Sequence, residues 1–325
     1  MGLIAITGYN KPDLLYLYLE QLERSGELDR YKVRFHTEVG YDPEELIVFQ
    51  DFQKRNPALD TRFIVKDKVN CPLVGFHNIL TSYTMSADEV DDFVIIGEED
   101  MLPTKDYLRF NRECYEKFLS RYDRIFCVCH KRRPEAEDIG NPSILMGDYQ
   151  LTSPSCISVK AIEKYIRGYV ESPGYFINPV GYNHYHFKNL RINPWEHTHH
   201  DGALERIMLA NNLFAIKPDQ ARSMHVGLSG IFCGGNPPRG TLSERISQWR
   251  ELIKDGEKLR SLSNMPQDIV VTDPDGPEWS NLELDLDRTK CRASTWFYDP
   301  NNEFEDYINE HPSNNSRTNI QAITS

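Results

Sequence analysis

The sequence predicts an α/β fold, a doubly wound sheet flanked by helices, followed by a helical C-terminal extension. Three observations carry this. Short apolar runs alternate with helical stretches through the first half of the chain, the pattern of βαβ units. Residues 93–96, Phe-Val-Ile-Ile, are apolar throughout, as a central strand covered on both faces must be. After Gly234-Gly235-Asn236-Pro237-Pro238 the alternation ends, and one amphipathic stretch leads into a polar tail.

Taken in order, residues 3–7 (Leu-Ile-Ala-Ile-Thr) read as a buried strand and Gly8-Tyr9-Asn10-Lys11-Pro12 as the turn after it. Pro12 suits the first turn of a helix, where its missing N–H costs nothing. Leu15, Tyr18, Leu19 and Leu22 give that helix an apolar stripe. Residues 33–37 are a second strand, 43–55 a helix, 63–65 a third strand and 74–85 a helix. Strand 93–96 ends in Gly97-Glu98-Glu99-Asp100. A helix over 104–120 and a strand over 124–129 follow. The region 141–200 is irregular and rich in Tyr, His, Asn and Pro, with one helix over 159–169. Residues 201–211 read as helix, 213–216 as strand and 243–259 as a single helix. The organisation expected is an α/β domain over 1–235, the helical extension over 236–311 and a disordered tail over 312–325.

Composition narrows the function classes. A chain of 325 residues with 39% hydrophobic and 26% charged residues can bury a sizeable core. A net charge of −12 disfavours tight binding to a nucleic-acid backbone, and Lys131-Arg132-Arg133 is too short a basic run to reverse that. No run approaches a membrane span, and the amino terminus predicts no signal peptide. The seven cysteines are odd in number and lack the paired spacing of a zinc knuckle. Cys127 and Cys129 read as buried reduced thiols on one strand face, which fits a reducing cytoplasm.

The acidic triplet Glu98-Glu99-Asp100 carries the chemistry. Three carboxylates at a strand end repel one another unless a cation, hydrogen-bond donors or solvent compensates. Hard oxygen ligands suit Mg2+ or Mn2+, and the carboxyl ends of strands are where α/β sheets bind ligands. A solvated acidic loop capping the next helix is the alternative reading.

Around this triplet the sequence resembles a known family. Val94-Ile95-Ile96-Gly97-Glu98-Glu99-Asp100-Met101, followed by Asp106-Tyr107-Leu108, is similar to the strand, metal motif and next helix of the GT-A glycosyltransferases, N-acetylglucosaminyltransferase I and its relatives. The resemblance implies a GT-A fold, a Rossmann-like nucleotide-diphospho-sugar transferase with a mixed sheet flanked by helices, together with a UDP-sugar donor, Mn2+ or Mg2+, and inverting transfer to an acceptor hydroxyl. It does not name the acceptor, which is open among a glycan, a glycoprotein, a small molecule and, less favoured by the acidic charge, a modified nucleic acid. It places the metal on Asp100, and Glu99 and Glu98 beside the donor sugar and ribose. Residues 4–12 resemble the family's first strand and nucleotide loop, which brings in Thr7, Tyr9 and Lys11, with Lys11 near the diphosphate. Residues 35–40 resemble the second-strand end, so Glu38 faces the base, and His77 lies at the spacing of a histidine near the donor. Residues 215–227 resemble the closing strand and bring in Arg222 for the donor, and His225 either as a second metal ligand or as a structural histidine. The general base falls on Asp201, which opens a helix and is also a natural N-cap. Glu205 and Glu196 remain alternatives.

The histidines at 184, 186, 197, 199, 200 and 225 lack the spacing of a zinc hydrolase. Trp195, Tyr182, Tyr185 and Phe187 suit either sugar stacking or core packing. Gly227, Gly230, Gly234 and Gly235 suit either a closing loop or a plain connector. Two rival functions remain. A sugar-phosphate nucleotidyltransferase needs a Gly-rich basic loop, which residues 8–12 lack. A non-catalytic nucleotide-sugar or glycan-binding module would not need the triplet, which is intact.

Overall fold

The computed structural model describes residues 1–66, 77–130, 144–147, 154–171, 203–204, 207–208, 211, 213–218, 221–228, 236–262, 292–293 and 296–297. Strand β1 (Gly2–Thr7) leads into α1 (Pro12–Arg24), β2 (Tyr31–Glu38) into α2 (Pro43–Arg55), and β3 (Thr61–Lys66) precedes α3 (His77–Ala87). Then come β4 (Phe93–Glu98), β5 (Met101–Pro103), α4 (Tyr107–Cys114), β6 (Ile125–Cys129), β7 (Ile144–Gly147) and β8 (Pro154–Ser158). Helical stretches Val159–Ala161, Ile162–Arg167 and Gly168–Val170 run on as α5. Strands β9 (Phe214–Pro218) and β10 (Ser223–His225) precede α6 (Leu242–Lys254) and α7 (Gly256–Leu262), and a short pair, β11 (Arg292–Ala293) and β12 (Trp296–Phe297), closes the series.

The main sheet has the order β3-β2-β1-β4-β8-β6-β9-β7. Its first four strands are parallel, β8 runs antiparallel between β4 and β6, and β7 is antiparallel to β9. This is a mixed sheet flanked by helices, the α/β class the sequence predicts. One apolar layer joins Ile4, Ile6, Phe35 and Ile95 to α1, α2, α4 and α6. The other joins Leu3, Ala5, Val94 and Ile96 to α3 and α5. Successive residues of β1 and β4 therefore feed opposite layers, which is why both read as uninterrupted apolar runs. Cys127 and Cys129 are buried on β6, as expected.

Strands β5, β7, β8 and β10 were not legible. Pro154-Ser155-Cys156-Ile157-Ser158 has no alternation to announce a strand, and its extended state comes from neighbours pairing on both edges. The helix expected over 104–120 begins only at Tyr107, with Asp106 (φ −94°, ψ 3°) at the N-cap, and the Thr104 N–H pairs instead with the Arg222 carbonyl at 3.1 Å. It then continues as a π-helical stretch over Tyr115–Leu119. The single helix expected over 243–259 is two. Thr241 and Glu244 form a capping box that starts α6, while Asp255 (φ −104°, ψ 74°) leaves the helical region and Gly256 begins α7. Of the stretch expected as helix over 201–211, Ala203, Leu204, Ile207, Met208 and Asn211 are helical. The expected tail over 312–325 lies outside the described residues, as does Lys131-Arg132-Arg133. Among the described residues no helix is long and apolar enough to cross a membrane.

Candidate active site

Two strand ends build the centre of the site. β1 ends at Thr7, and the loop after it crosses the acidic turn that ends β4: the Glu99 N–H donates to the Thr7 carbonyl at 3.1 Å, and the Gly8 N–H to the His36 carbonyl at 3.1 Å. A Cβ on Gly8 would meet the Phe35 ring at 2.9 Å and the Glu99 carboxylate at 3.1 Å, so the close crossing requires glycine. Asn10 takes φ 60°, the left-handed region that Asn tolerates better than most residues. Lys11 then caps α1, with Pro12 in the first turn.

The Lys11 ammonium lies 2.8 Å from Asp100 Oδ2 and 3.3 Å from Glu99 Oε1. Burial alone would lower its pKa, but the Asp100 and Glu99 carboxylates outweigh that and hold it charged. Burial pushes the Glu99 pKa upward, against the pull of Lys11 and with the help of the Asp100 charge. The Asp100 backbone is fixed from the other side. β5 pairs with β10, setting His225 opposite Met101, and the Val226 N–H donates to the Asp100 carbonyl at 2.8 Å. His225 Nε2 consequently stands 3.8 Å from Asp100 Oδ2. A Cβ on Gly227 would fall 2.6 Å from that carboxylate oxygen and 2.9 Å from that imidazole nitrogen, so glycine keeps the space between them open.

The donor set can be tested for a metal. Among the described residues no three His, Cys, Asp or Glu side chains form a ready ligand group. Asp100 and His225 are a pair, an oxygen and a nitrogen. That pair fits a hard ion drawing the rest of its shell from phosphate oxygens and water, and does not make an all-protein cage.

A second polar group lies on the sheet face that α3 covers. Pleating puts Arg34, His36 and Glu38 on that face, with Thr7 and Glu98 beside them by register. Glu38 pairs in register with Lys66, whose ammonium donates to Ser82 Oγ at 2.6 Å and Thr81 Oγ1 at 3.1 Å. Burial lowers the Lys66 pKa to about 7, opposed by the Glu38 charge. Burial likewise puts His36 well below the usual histidine value, helped by Lys66 and Arg34. Thr7 Oγ1 donates to the Gly97 carbonyl at 3.3 Å, and the Tyr9 hydroxyl donates to the Gly40 carbonyl at 3.4 Å.

The residues selected from the sequence thus fall into groups. Lys11, Glu99, Asp100 and His225 converge. Thr7, Glu38 and Glu98 sit at neighbouring strand ends on the α3 face, Tyr9 bridges the loops after β1 and β2, and His77 heads α3. Arg222, expected beside the donor, is turned inward. It is 1% exposed, pairs with Asp106 Oδ2 at 3.0 Å and lies over the Phe110 ring, so it braces β10 against α4. Asp201, Glu205 and Glu196 lie outside the described residues, as do Trp195, Tyr182, Tyr185 and Phe187.

Two residues went unrecognised. Lys66 lies one position past the apolar run that marked β3. Glu45 looks like an ordinary first-turn acid of α2, yet it is fully buried, accepts from the Lys11 N–H at 3.0 Å and from Thr37 Oγ1 at 3.1 Å.

No family model matches the sequence, and no curated protein does. Among solved structures, the chain is similar to S. aureus TarS 1-349 (10% identity, TM-score 0.42, 69% of this chain and 59% of that one). It is also similar to the mannosyltransferase PcManGT from Pyrobaculum calidifontis, solved with GDP-Man and Mn2+ (13%, 0.45, 80% and 61%). A third is the galactosyltransferase LgtC with donor and acceptor sugar analogues (11%, 0.39, 64% and 70%). The chain spans about three fifths of the length of the first two. The likeness to N-acetylglucosaminyltransferase I rests on the sequence motifs alone.

Proposed function

We propose that this chain is a metal-dependent glycosyltransferase of the GT-A type, moving a sugar from a nucleotide-sugar, a UDP-sugar, to an acceptor hydroxyl with inversion. The observation that carries the reading is the meeting of Lys11, Glu99, Asp100 and His225 at the carboxyl ends of β1 and β4. An ammonium, two carboxylates and an imidazole at that point form a site for a diphosphate and a cation, built where an α/β sheet offers its ligand crevice.

In this reading Asp100 and His225 hold Mn2+ or Mg2+, which when bound supplies charge neutralisation at the diphosphate leaving group. Lys11 releases part of its hold on the carboxylates to pair with the diphosphate. Thr7, Tyr9 and Glu38 face the nucleoside, and Glu98 and Glu99 face the ribose and transferred sugar, with His77 nearby. Asp201, or else Glu205 or Glu196, takes the acceptor hydroxyl proton as its oxygen bonds to the anomeric carbon. The glycosidic bond to phosphate breaks as that bond forms. Arg222 supports this site indirectly, by holding the strand that ends in His225. The domain over 1–235 carries this chemistry, the extension over 236–311 begins with α6, which docks on α1, and the expected compartment is the cytoplasm.

The test is binding and hydrolysis of UDP-, GDP-, dTDP- and CMP-sugars with and without Mn2+, for the wild type and Asp100→Ala. Metal-dependent binding or turnover of a UDP-sugar, lost in the variant, is the expected result. Binding indifferent to both metal and Asp100 would leave a non-catalytic sugar-nucleotide module as the better reading.

A further inference from the structure

Glu45 is a carboxylate in the wrong place for a helix surface. It sits in the first turn of α2 with no exposure to solvent, and burying an ionised carboxylate costs several kcal/mol unless its oxygens are hydrogen-bonded. They are. One oxygen accepts from the Lys11 N–H at 3.0 Å and the other from Thr37 Oγ1 at 3.1 Å. The first donor is an amide of the loop after β1, and the second is a hydroxyl at the end of β2.

That loop needs fastening. Asn10 is the one non-glycine residue with positive φ among the described residues, and Lys11, at φ −133° and ψ 61°, precedes a proline that narrows its choices further. Left alone, such a pair would sample other conformations. The position of the Lys11 Cα decides whether its ammonium reaches Asp100 and Glu99. The Lys11 side chain and the Lys11 amide thus answer to different carboxylates, the first to the site and the second to α2.

We propose that Glu45 is a positioning residue for the diphosphate end of the site, clamping the Asn10-Lys11 backbone so that the Lys11 ammonium stands over Asp100. This rests on the transferase reading for its functional consequence. The clamp itself is a property of the loop.

Glu45→Met keeps the buried volume and removes both acceptors. Glu45→Gln keeps an oxygen for the Lys11 amide. Both are to be compared with wild type, Lys11→Ala and the double variant Glu45→Met/Lys11→Ala, in the full chain. Two readouts separate the questions: amide hydrogen exchange over residues 8–14 without nucleotide, and affinity for UDP with Mn2+. Glu45→Met is expected to speed exchange of the Lys11 amide and to weaken UDP binding by about tenfold, the worth of one charge-assisted hydrogen bond. Glu45→Gln should recover most of both. The double variant should bind UDP no more weakly than Lys11→Ala alone, because Glu45 acts through Lys11. Unchanged exchange in Glu45→Met, or losses that add in the double variant, overturns the proposal. If Glu45→Met does not fold, Thr37→Val, which frees only the second oxygen, should show a smaller change in the same direction, and wild-type exchange there counts against the clamp. If the wild type binds no UDP, the transferase reading fails, and exchange alone decides whether Glu45 fixes the loop.

Discussion

Gly227→Ala inserts one methyl group into the gap between the two candidate metal ligands. The methyl would lie 2.6 Å from Asp100 Oδ2 and 2.9 Å from His225 Nε2, where ordinary contact begins at 3.4 Å. The carboxylate must therefore move by about 0.8 Å, or β10 must back away from β5 by a similar amount. Neither is free. Asp100 Oδ2 holds the Lys11 ammonium at 2.8 Å, and its carbonyl accepts from the Val226 N–H at 2.8 Å. Overpacking of this kind costs about 1–3 kcal/mol, which for a chain of this size lowers Tm by a few degrees. The functional loss should be larger than the stability loss, because the methyl fills the space between the oxygen and nitrogen donors. Mn2+ titration followed by electron paramagnetic resonance in the presence of UDP should show affinity reduced by about tenfold to a hundredfold, alongside a melting curve. Mn2+ and UDP affinity within twofold of wild type would refute the assignment of Asp100 and His225 as the metal pair.

Three further outcomes follow from buried polar groups. The Lys66 pKa falls to about 7 in the fold from 10.5, so between those values the unfolded chain binds more protons and stability rises with pH, by at most about 1.4 kcal/mol per unit. Urea unfolding at pH 7 to 10 should show this slope, and Lys66→Met should lose it; an identical slope in the variant rules the residue out as the source. Arg222→Met leaves the buried Asp106 carboxylate without its cation, at a cost of about 3–5 kcal/mol that Asp106→Asn in the same chain should largely restore; a loss under about 1 kcal/mol by chemical denaturation argues against the pair. Trp249→Phe removes the indole N–H that donates to Asp13 Oδ2 at 2.6 Å while keeping a buried ring. A loss of about 1.5–3 kcal/mol is expected by the same measurement, and no loss would mean that Arg245, 3.7 Å from Asp13, suffices.

The candidate site was legible where its chemistry is local in sequence. An apolar strand running into Glu98-Glu99-Asp100, and a strand-turn-proline at 3–12, each state a backbone shape and a charge within a dozen residues, and the structure brings Lys11 to Asp100 as those shapes require. His225 was reachable only through family resemblance, because nothing near it in sequence says that it will stand beside a turn 125 residues earlier. Lys66 and Glu45 were missed for a related reason. A lysine at a strand end and a glutamate in a first helical turn are ordinary surface choices, and only the packing of α3 and of the loop after β1 makes them buried. Arg222 shows the reverse case, a residue that the resemblance places beside the donor and whose partner, Asp106, holds it in the interior.

By itself the sequence determined the α/β class, the central strands β1 and β4, the helices that follow β1 and β2, and the clustering of acids at a strand end. Periodicity and turn chemistry are read within a few residues, and local sterics enforce them wherever the chain goes. Tertiary structure alone decided that β8 would run antiparallel between β4 and β6, and that α6 would dock on α1 through a hydrogen bond spanning 236 positions. It alone also decided which of many carboxylates would be buried against which cation. Those outcomes depend on the joint burial of surfaces distant in the chain, a collective free energy that no window of sequence contains.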